Sequence, residues 1–244
     1  MHTIESHEPV LQTYPTPYRW SIDEFEHLCE MGIFADIRVK LVDGEIIHDS
    51  ALAEPWRWSV EQYFQLHEGD IFREAHVQLI DGEILDMAAM NAPHANGVAY
   101  INYELIGVFG GRHAGFQVRV TGPLPMVASA PEPDAWVVSG NSRTYDQVLP
   151  TPAVVVLVVE VSDTSLWYDI GAKASLYASV GIADYWVIDI PNQQVRIFRD
   201  PQPDATQPFR FGYSQVTFHP RTDTISPLVM PNGMILVDDL APQP

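Results

Sequence analysis

The residues from Ala153 to Val161 form an almost uninterrupted apolar run, AVVVLVVEV, in which the only acid is Glu160. A run of this length and β-branched content predicts a strand that is buried on both faces of a sheet. An ionised carboxylate is costly there unless it is paired, hydrogen-bonded or bound to a metal. The run therefore predicts a sheet covered on both sides and makes Glu160 a candidate functional residue.

A second acid, Asp134, follows Pro133 at the start of another predicted strand, AWVV. Pro and Asp also mark ordinary turns, so Asp134 alone is as well explained as a turn residue. Together with Glu160, however, it gives two carboxylates at neighbouring strand ends, and Lys173 follows nearby in the sequence. Two carboxylates and a lysine are typical of a magnesium-dependent nuclease site.

The charge balance restricts how such a site would meet its substrate. The chain has 244 residues and a formal net charge of −19, with only 13 lysine and arginine residues. Because affinity for the DNA backbone comes from Lys and Arg that displace counterions, this composition argues against tight, non-specific DNA binding. A nuclease of this kind needs a divalent metal, a local basic surface or a partner that brings the substrate.

The single cysteine, Cys29, rules out an internal disulfide and a zinc cluster built on several thiolates. The first residues, MHTIESHEPV, lack the basic and apolar regions of a secretory signal. No apolar stretch approaches the roughly 20 residues that a membrane helix requires. We therefore expect a cytoplasmic protein with no membrane partner.

An internal repeat occupies the first part of the chain. RWSIDEFEHLCEMGIF…VKLVDGEI from Arg19 is matched by RWSVEQYFQLHEGDIF…VQLIDGEI from Arg57. Each copy predicts a helix capped by Ser21 or Ser59, followed by a strand that enters an Asp-Gly turn. Two copies are too few for a solenoid, so we interpret the first as an addition that packs beside the second or against another subunit.

The rest of the chain alternates strands with a few helices, which indicates an α/β (α+β) fold built on a mixed sheet. The predicted helices are 93–109 and 166–180; the predicted strands are 116–120, 135–139, 153–161, 185–190 and 194–198, followed by a Pro-rich loop at 200–215 and short strands near 216–218, 224–229 and 234–237.

An ordered series of motifs runs through this part of the chain. It consists of LIDGEI at 79–84, a helix opened by His94, EPD at 132–134, VVEVSD at 158–163, Asp169, Lys173, Tyr177, and GIADYWVID at 181–189. The series resembles the Uma-type restriction-endonuclease family of the PD-(D/E)XK nuclease superfamily, over roughly residues 59–240. The resemblance implies a restriction-endonuclease-like fold, in which a central mixed sheet is flanked by helices.

Composition, the repeat and the resemblance together suggest three segments: a disordered tail at 1–18, which is polar and rich in proline, the duplicated helix-strand unit at 19–56, and a restriction-endonuclease-like domain at 57–244. The resemblance implies DNA as the partner, although the acidic charge counts against this. Because superfamily members that cut both DNA strands often pair, it also admits a homodimer.

The resemblance also assigns roles to residues. It implies that Asp134, Glu160 and the backbone carbonyl of Val161 bind Mg²⁺ or Mn²⁺, which prefer hard oxygen donors. It implies that a lysine positions or activates water. Ser162 stands where the E-x-K motif has its lysine, so Lys173, on the following helix, is expected to take that role.

Three further residues are candidates for supporting roles. Asp169 precedes Lys173 by one helical turn and is expected to hold it in position. Glu83 and His94 match positions typical of the family, without an assigned role. Glu83 is equally well explained as a solvated hairpin residue, because Glu45 occupies the same place in the first copy without a downstream site.

Simpler explanations exist for the main candidates. Glu160 could reach solvent at the strand end, Asp169 and Lys173 could form an exposed helix pair worth a few tenths of a kcal/mol, and His94 could simply begin a helix. The leading hypothesis is a metal-dependent endonuclease that hydrolyses DNA phosphodiester bonds. The alternatives are a catalytically inactive interaction module with the nuclease fold, and a hydrolase of another phosphoester.

Overall fold

The computed structural model describes residues 13–73, 75–87, 89–110, 115–140 and 143–240. The helices are α1 Ile22–Glu30, α2 Val60–Glu68, α3 Ala92–Phe109, α4 Leu166–Tyr168 and α5 Ala174–Ser179, with a π-helical turn, Asp169–Lys173, joining the last two. The strands are β1 Thr16–Pro17, β2 Val39–Val42, β3 Glu45–His48, β4 Val77–Ile80, β5 Glu83–Asp86, β6 Phe116–Val120, β7 Ala135–Ser139, β8 Val155–Ser162, β9 Asp184–Asp189, β10 Gln194–Pro203, β11 Phe211–Pro220, β12 Thr224–Ile225 and β13 Ile235–Leu236.

The two copies of the repeat fold alike locally. Ser21 and Ser59 each form a reciprocal capping box at the start of their helix. Each helix is followed by a hairpin, β2–β3 or β4–β5, whose Asp-Gly turn has positive φ at both residues. Trp20 of the first copy and Trp58 of the second pack in one apolar cluster with ring centroids 5.1 Å apart, so the first copy packs beside the second.

Part of the predicted tail is ordered. Thr16 and Pro17 pair with β5, and the Thr13 amide donates a 2.7 Å hydrogen bond to the Thr164 carbonyl. Residues 13–18 are therefore fixed to the fold rather than disordered, while residues 1–12 lie outside the described ranges. The proposed division into an added unit at 19–56 and a domain at 57–244 stays a prediction.

The central sheet has six strands in the order β11-β10-β9-β8-β7-β6. Only β8 and β9 run parallel; the other neighbours are antiparallel, so the sheet is mixed. One face packs on α3, where Ile101 and Leu105 join Val159 and Val161. The other face packs on the α4–α5 helix, where Tyr177 belongs to the apolar cluster around β8 and β9. The predicted central mixed sheet flanked by helices is confirmed.

The predicted loop at 200–215 is wrong. β10 and β11 form one long hairpin that extends to the pair Pro203 and Phe211. Beyond Arg199, β10 has β11 as its single partner strand, and prolines are tolerated at such edge positions because an outward-facing amide is not needed there. Pro201 and Pro203 therefore misled the sequence prediction. Separately, no helix in the described ranges is long and apolar enough to cross a membrane.

Candidate active site

A cleft of about 90 Å³ lies beside the end of β8, the start of β7, and the first turn of α3. Six of the predicted site residues line it: Asp134, Glu160, Val161, Lys173, His94 and Asp169. The sheet register explains why the two main acids meet. Ala135 pairs with Val159 across β7 and β8, so Asp134 and Glu160 follow as neighbours one residue further along.

Asp134 is held by two donors from different elements. Its Oδ2 atom accepts a 2.8 Å hydrogen bond from the Val161 amide and lies 3.1 Å from His94 Nε2. Burial raises the pKa of Asp134, but the hydrogen bond and charge of His94, then Lys173 and the Val161 amide, outweigh it, so the pKa is lowered. Asp134 is therefore an anion at neutral pH.

The position of His94 depends on a close approach between α3 and β8. Asn91 caps the helix, accepting a 3.0 Å hydrogen bond from the His94 amide. One turn later, a Cβ on Gly97 would come within 2.7 Å of Val161 Cγ1. Glycine therefore permits the helix to lie directly on β8 and to place the His94 ring beside Asp134. Burial lowers the pKa of His94, but its contact with Asp134 outweighs this, so the pKa is raised overall.

Glu160 is buried and has a partner on each oxygen. Tyr177 donates a 2.6 Å hydrogen bond to Oε1, and Lys173 Nζ lies 2.9 Å from Oε2. Lys173 is itself buried, with only 4% of its surface exposed. Lys173 is therefore not part of an exposed helix pair, and Glu160 does not reach solvent. The structure contradicts both of these simpler explanations.

Lys173 lies beside the face of β8 that carries Glu160 and Ser162. Glu160 and Ser162 point to the same face of β8, because side chains alternate along a strand. Ser162 is buried and donates a 2.7 Å hydrogen bond to Asp169 Oδ2, while Lys173 Nζ lies 3.8 Å from Asp169 Oδ1. The π-helical turn that begins at Asp169 and ends at Lys173 turns both side chains towards β8. Such turns are frequent at functional sites.

The cluster contains more acids than basic groups. Glu160 and Asp169 are both buried beside the single ammonium of Lys173. Burial raises the pKa of Glu160; Lys173 opposes this, but the charges of Asp134 and Asp169 add to it, and the result is about 8. Burial also raises the pKa of Asp169 in spite of Lys173 and two serine hydroxyls. One ammonium therefore does not keep both acids fully ionised, and a further cation would favour their ionised forms.

Carboxylates in such excess fit a hard divalent cation. Asp134 and Glu160 would hold it, since each carboxylate oxygen can accept more than one partner. Val161 also lines the cleft, and the expectation that its backbone carbonyl is a third oxygen donor stays a prediction. Within the described ranges, no group of three or more His, Cys, Asp or Glu side chains is placed to hold a metal ion, so the metal site stays a prediction.

The structure does not bring Glu83 into the cleft. Its carboxylate lies 3.8 Å from Arg57 on the exposed side of the second hairpin. The first copy has the same contact, at 2.7 Å between Arg19 and Glu45. The recurrence of this pair in both copies explains the DGE sequence as a feature of the hairpin.

The residues that line the cleft and that the sequence analysis did not select include His76, Gln78 and Glu132. His76 directly precedes β4 and Gln78 lies on it, and a His-x-Gln spacing at a predicted strand is the only sequence signal for them. Gln78 is 2% exposed, and its amide donates towards the Glu132 carbonyl at 3.4 Å. Its Oε1 atom has no hydrogen-bond partner among the described residues, so an acceptor faces this wall of the cleft unused.

A mixed sheet with acids at adjacent strand ends and a lysine beside them belongs to the restriction-endonuclease-like class of folds. The chain matches the Uma2 family, described as "Putative restriction endonuclease", over residues 60–238. That match covers well over half of the chain, and the protein therefore belongs to the Uma2 family. The resemblance inferred from the sequence, over roughly residues 59–240, is confirmed.

A solved structure from Anabaena variabilis, described as a putative nuclease belonging to DUF820, is similar in fold. The TM-score is 0.52 and the sequence identity 14%, over 68% of this chain and 90% of the other. At this identity the likeness shows the fold alone. A search of curated proteins finds no match.

Proposed function

We propose that the protein is a metal-dependent endonuclease that hydrolyses DNA phosphodiester bonds at the cleft. The observation that supports this most directly is the buried group of Glu160, Lys173 and Asp169 next to Asp134. Buried acids that outnumber their cationic partners are costly to keep in a fold, and they cluster at functional sites. Membership of the Uma2 family supports a nuclease rather than another phosphoester hydrolase.

The acidic cleft requires a cation before it can receive phosphate. Bound Mg²⁺ or Mn²⁺ would polarise the scissile phosphate and lower the pKa of a water molecule. Asp134 and Glu160 would hold the ion, with the Val161 carbonyl as a third donor. This charge balance also answers the objection from the net charge of −19, because substrate phosphate would meet the metal rather than a basic surface.

The chain's own residues would prepare the rest of the reaction. His94 and the Val161 amide orient the Asp134 carboxylate. Asp169 and Glu160 hold the Lys173 ammonium in place, where it would orient the attacking water or stabilise charge that develops on phosphate oxygens. Tyr177 fixes the second oxygen of Glu160, so that the carboxylate presents one orientation to the cleft.

Cleavage of supercoiled plasmid in Mn²⁺ or Mg²⁺ tests the proposal. Lys173→Met and Asp134→Asn should each remove cleavage while the variants keep their fold by circular dichroism. The matched controls are Lys40→Met, at the only other lysine in the sequence, and Asp204→Asn, at a half-buried acid outside the cleft. Wild-type cleavage that persists in EDTA would contradict the proposal.

The alternative is a nuclease-fold interaction module without activity. The observation that favours it is the tight engagement of Lys173, whose ammonium is already bound by Glu160 and lies near Asp169. A thermal-shift titration separates the two hypotheses. An active site should gain stability with Mn²⁺ in proportion to occupancy, and Glu160→Ala should abolish the gain, whereas a module without a metal site should show no gain in either protein.

A further inference from the structure

One wall of the cleft carries a basic residue that has no role in the proposed mechanism. Among the described residues that line the cleft, three have basic side chains: Lys173, His94 and His76. Lys173 lies 2.9 Å from Glu160. His94 lies 3.1 Å from Asp134. Two of the three basic groups are therefore already engaged by the carboxylates at the centre of the site, which draws attention to the third.

His76 is held less tightly than the other two basic residues. Its Nε2 atom lies 3.8 Å from Glu132 Oε2, which is beyond hydrogen-bond distance. The side chain of His76 is 45% exposed, and that of Glu132 is 21% exposed. The imidazole can therefore contact a substrate in the cleft while a carboxylate stays beside it.

The backbone on both sides of this pair is fixed. The Met87 amide of the hairpin donates a 2.8 Å hydrogen bond to the His76 carbonyl. The Ala130 amide, two residues before Glu132, donates a 2.7 Å hydrogen bond to the Leu79 carbonyl of β4. The segments that carry His76 and Glu132 are thus tied to the same hairpin. A group that takes part in a reaction needs such a defined position.

The pair also lies close to the carboxylates of the site. Glu132 and Asp134 are both half-buried and both line the cleft. The prolines at 131 and 133 are buried, so side chains alternate along this extended segment and the two acids share one side of it. Residues two apart in an extended chain are separated by roughly 6.6 Å. His76 beside Glu132 is therefore within reach of a phosphate bound next to Asp134.

The first copy of the repeat shows that the hairpin itself does not require a histidine. The counterpart of His76 is Arg38, whose carbonyl accepts a 2.8 Å hydrogen bond from the Asp49 amide, just as the carbonyl of His76 does from Met87. The Arg38 side chain is 86% exposed and lies 3.2 Å from the Asp49 carboxylate. The same position thus holds a solvated ion pair in the first copy and an imidazole in the cleft in the second.

Hydrolysis of a phosphodiester develops charge at two places. Water attacks phosphorus from one side, and the oxygen that departs on the other side becomes an alkoxide unless it gains a proton. In the proposed mechanism Lys173 serves the water or the phosphate oxygens, and the departing oxygen has no partner. Histidine is the side chain that most often transfers a proton near neutral pH. A histidine in the cleft that contacts no central carboxylate is suited to this step.

We propose that His76 is the general acid for the leaving oxygen and that Glu132 positions its ring, an inference that rests on the proposed function. As the bond from the attacking water to phosphorus forms, the bond from phosphorus to the leaving oxygen breaks. The imidazolium of His76 gives its proton to that oxygen, which departs as a hydroxyl group. The proton that the water loses passes to solvent, and the imidazole regains a proton from solvent before the next turnover.

A DNA duplex in which sulfur replaces the leaving oxygen tests the role of His76. The wild type first locates the cut in an ordinary short duplex, and the sulfur is then placed at that bond. A thiolate is a far weaker base than an alkoxide and leaves without a proton. His76→Gln keeps a hydrogen-bond donor but cannot give up a proton. It should slow cleavage of the ordinary duplex by about 100-fold or more, and that of the sulfur duplex by less than about threefold.

His27→Gln is the matched control for this substitution. His27 also lies 3.8 Å from a glutamate, Glu30, and its side chain is 54% exposed, but it is outside the cleft. This variant should cleave both duplexes at the wild-type rate. Lys173→Met should remove cleavage of both duplexes, because Lys173 does not serve the leaving group. A His76→Gln variant with equal losses on both duplexes, or with wild-type rates on both, overturns the inference while the proposed function stands. A wild type that cuts no DNA overturns both.

Glu132→Gln tests the positioning role. It should slow cleavage of the ordinary duplex by about tenfold, as expected for a residue that orients another, and leave cleavage of the sulfur duplex nearly unchanged. A residue that merely supported the fold would slow both duplexes alike. Equal losses on the two duplexes would therefore overturn the role of Glu132.

Discussion

Two groups of buried acids lie on neighbouring strands of one sheet and differ in how their charge is balanced. On β9, Asp184 contacts Arg199 at 2.8 Å, and Asp189 contacts Arg196 at 2.8 Å. Each of these acids has its own arginine on β10. Around β8, by contrast, Glu160 and Asp169 share the one ammonium of Lys173.

The comparison teaches that burial alone does not identify a functional acid. Burial raises the pKa of Asp184 too, and more than its Arg199 contact lowers it. What differs is the number of acids for each basic group. Each acid on β9 has its own arginine on β10, whereas Glu160 and Asp169 share Lys173. A matched pair needs nothing further, whereas the surplus around β8 favours an added cation.

The largest expected difference is in cleavage. Glu160→Gln should lower the rate of plasmid cleavage by about 1000-fold, because the neutral amide would hold the metal, which stabilises the developing charge, more weakly than a carboxylate does. Asp184→Asn should change the rate per folded molecule by no more than a few-fold. Cleavage rates of the two variants, measured in Mn²⁺ at equal concentrations of folded protein, test this difference. Equal losses in the two variants would mean that the two groups of acids do not divide into functional and structural.

The next effect concerns stability. Arg199→Met leaves Asp184 buried without its partner and should lower the free energy of unfolding by about 3–5 kcal/mol. Arg38→Met removes an exposed pair with Asp49 and should cost less than about 1 kcal/mol. Urea denaturation of both variants measures the difference. A small loss at Arg199 would show that the matched pairs on β9 and β10 are dispensable.

The pH dependence of stability should distinguish the surplus group. The folded-state pKa of Glu160, about 8, is above the unfolded value, so its contribution is fully present below about pH 4.5 and is lost as the pH rises to about 8. In EDTA, the wild type should therefore lose a few kcal/mol relative to Glu160→Gln across this window. Parallel pH profiles of unfolding free energy for the two proteins would refute this.

The smallest effects are expected in the hairpins. Glu83→Gln and Glu45→Gln each weaken an exposed contact with an arginine and should change stability by less than about 1 kcal/mol. Cleavage should be unchanged in both, because Glu83 lies outside the residues that line the cleft. Loss of cleavage in the Glu83 variant alone would show that Glu83 acts together with the acids around β8.

Much of the fold was predictable because it is encoded locally. The helix predicted at 93–109 is observed at Ala92–Phe109, and the strands predicted at 116–120 and 135–139 are observed with the same bounds. Capping residues, apolar periodicity and Asp-Gly turns act over a few residues and can be read directly. The prediction of a loop for the Pro-rich segment at 200–215 failed because its strand conformation is not encoded locally. It depends on pairing between β10 and β11.

The site was predictable as a set of residues and not as an arrangement. The sequence indicated Asp134, Glu160 and Lys173, but the contacts of Tyr177 with Glu160 and of Ser162 with Asp169 join residues from separate elements. The π-helical turn that points Lys173 at β8 has no sequence signature of its own.

The two copies of the repeat separate what the sequence determines from what the tertiary structure decides. The sequence by itself determined two capped helices and two hairpins, because those depend on near neighbours in the chain. Their environments were decided by tertiary structure: β2 alternates between partly exposed and exposed residues, whereas all four residues of β4 are buried. Lys40 on β2 remains at the surface, and its counterpart Gln78 on β4 lines the cleft. The two strands are nearly alike in sequence, but β4 also packs against the α4–α5 helices, where Ile80 joins Tyr168 and Leu176, and burial depends on what surrounds a strand.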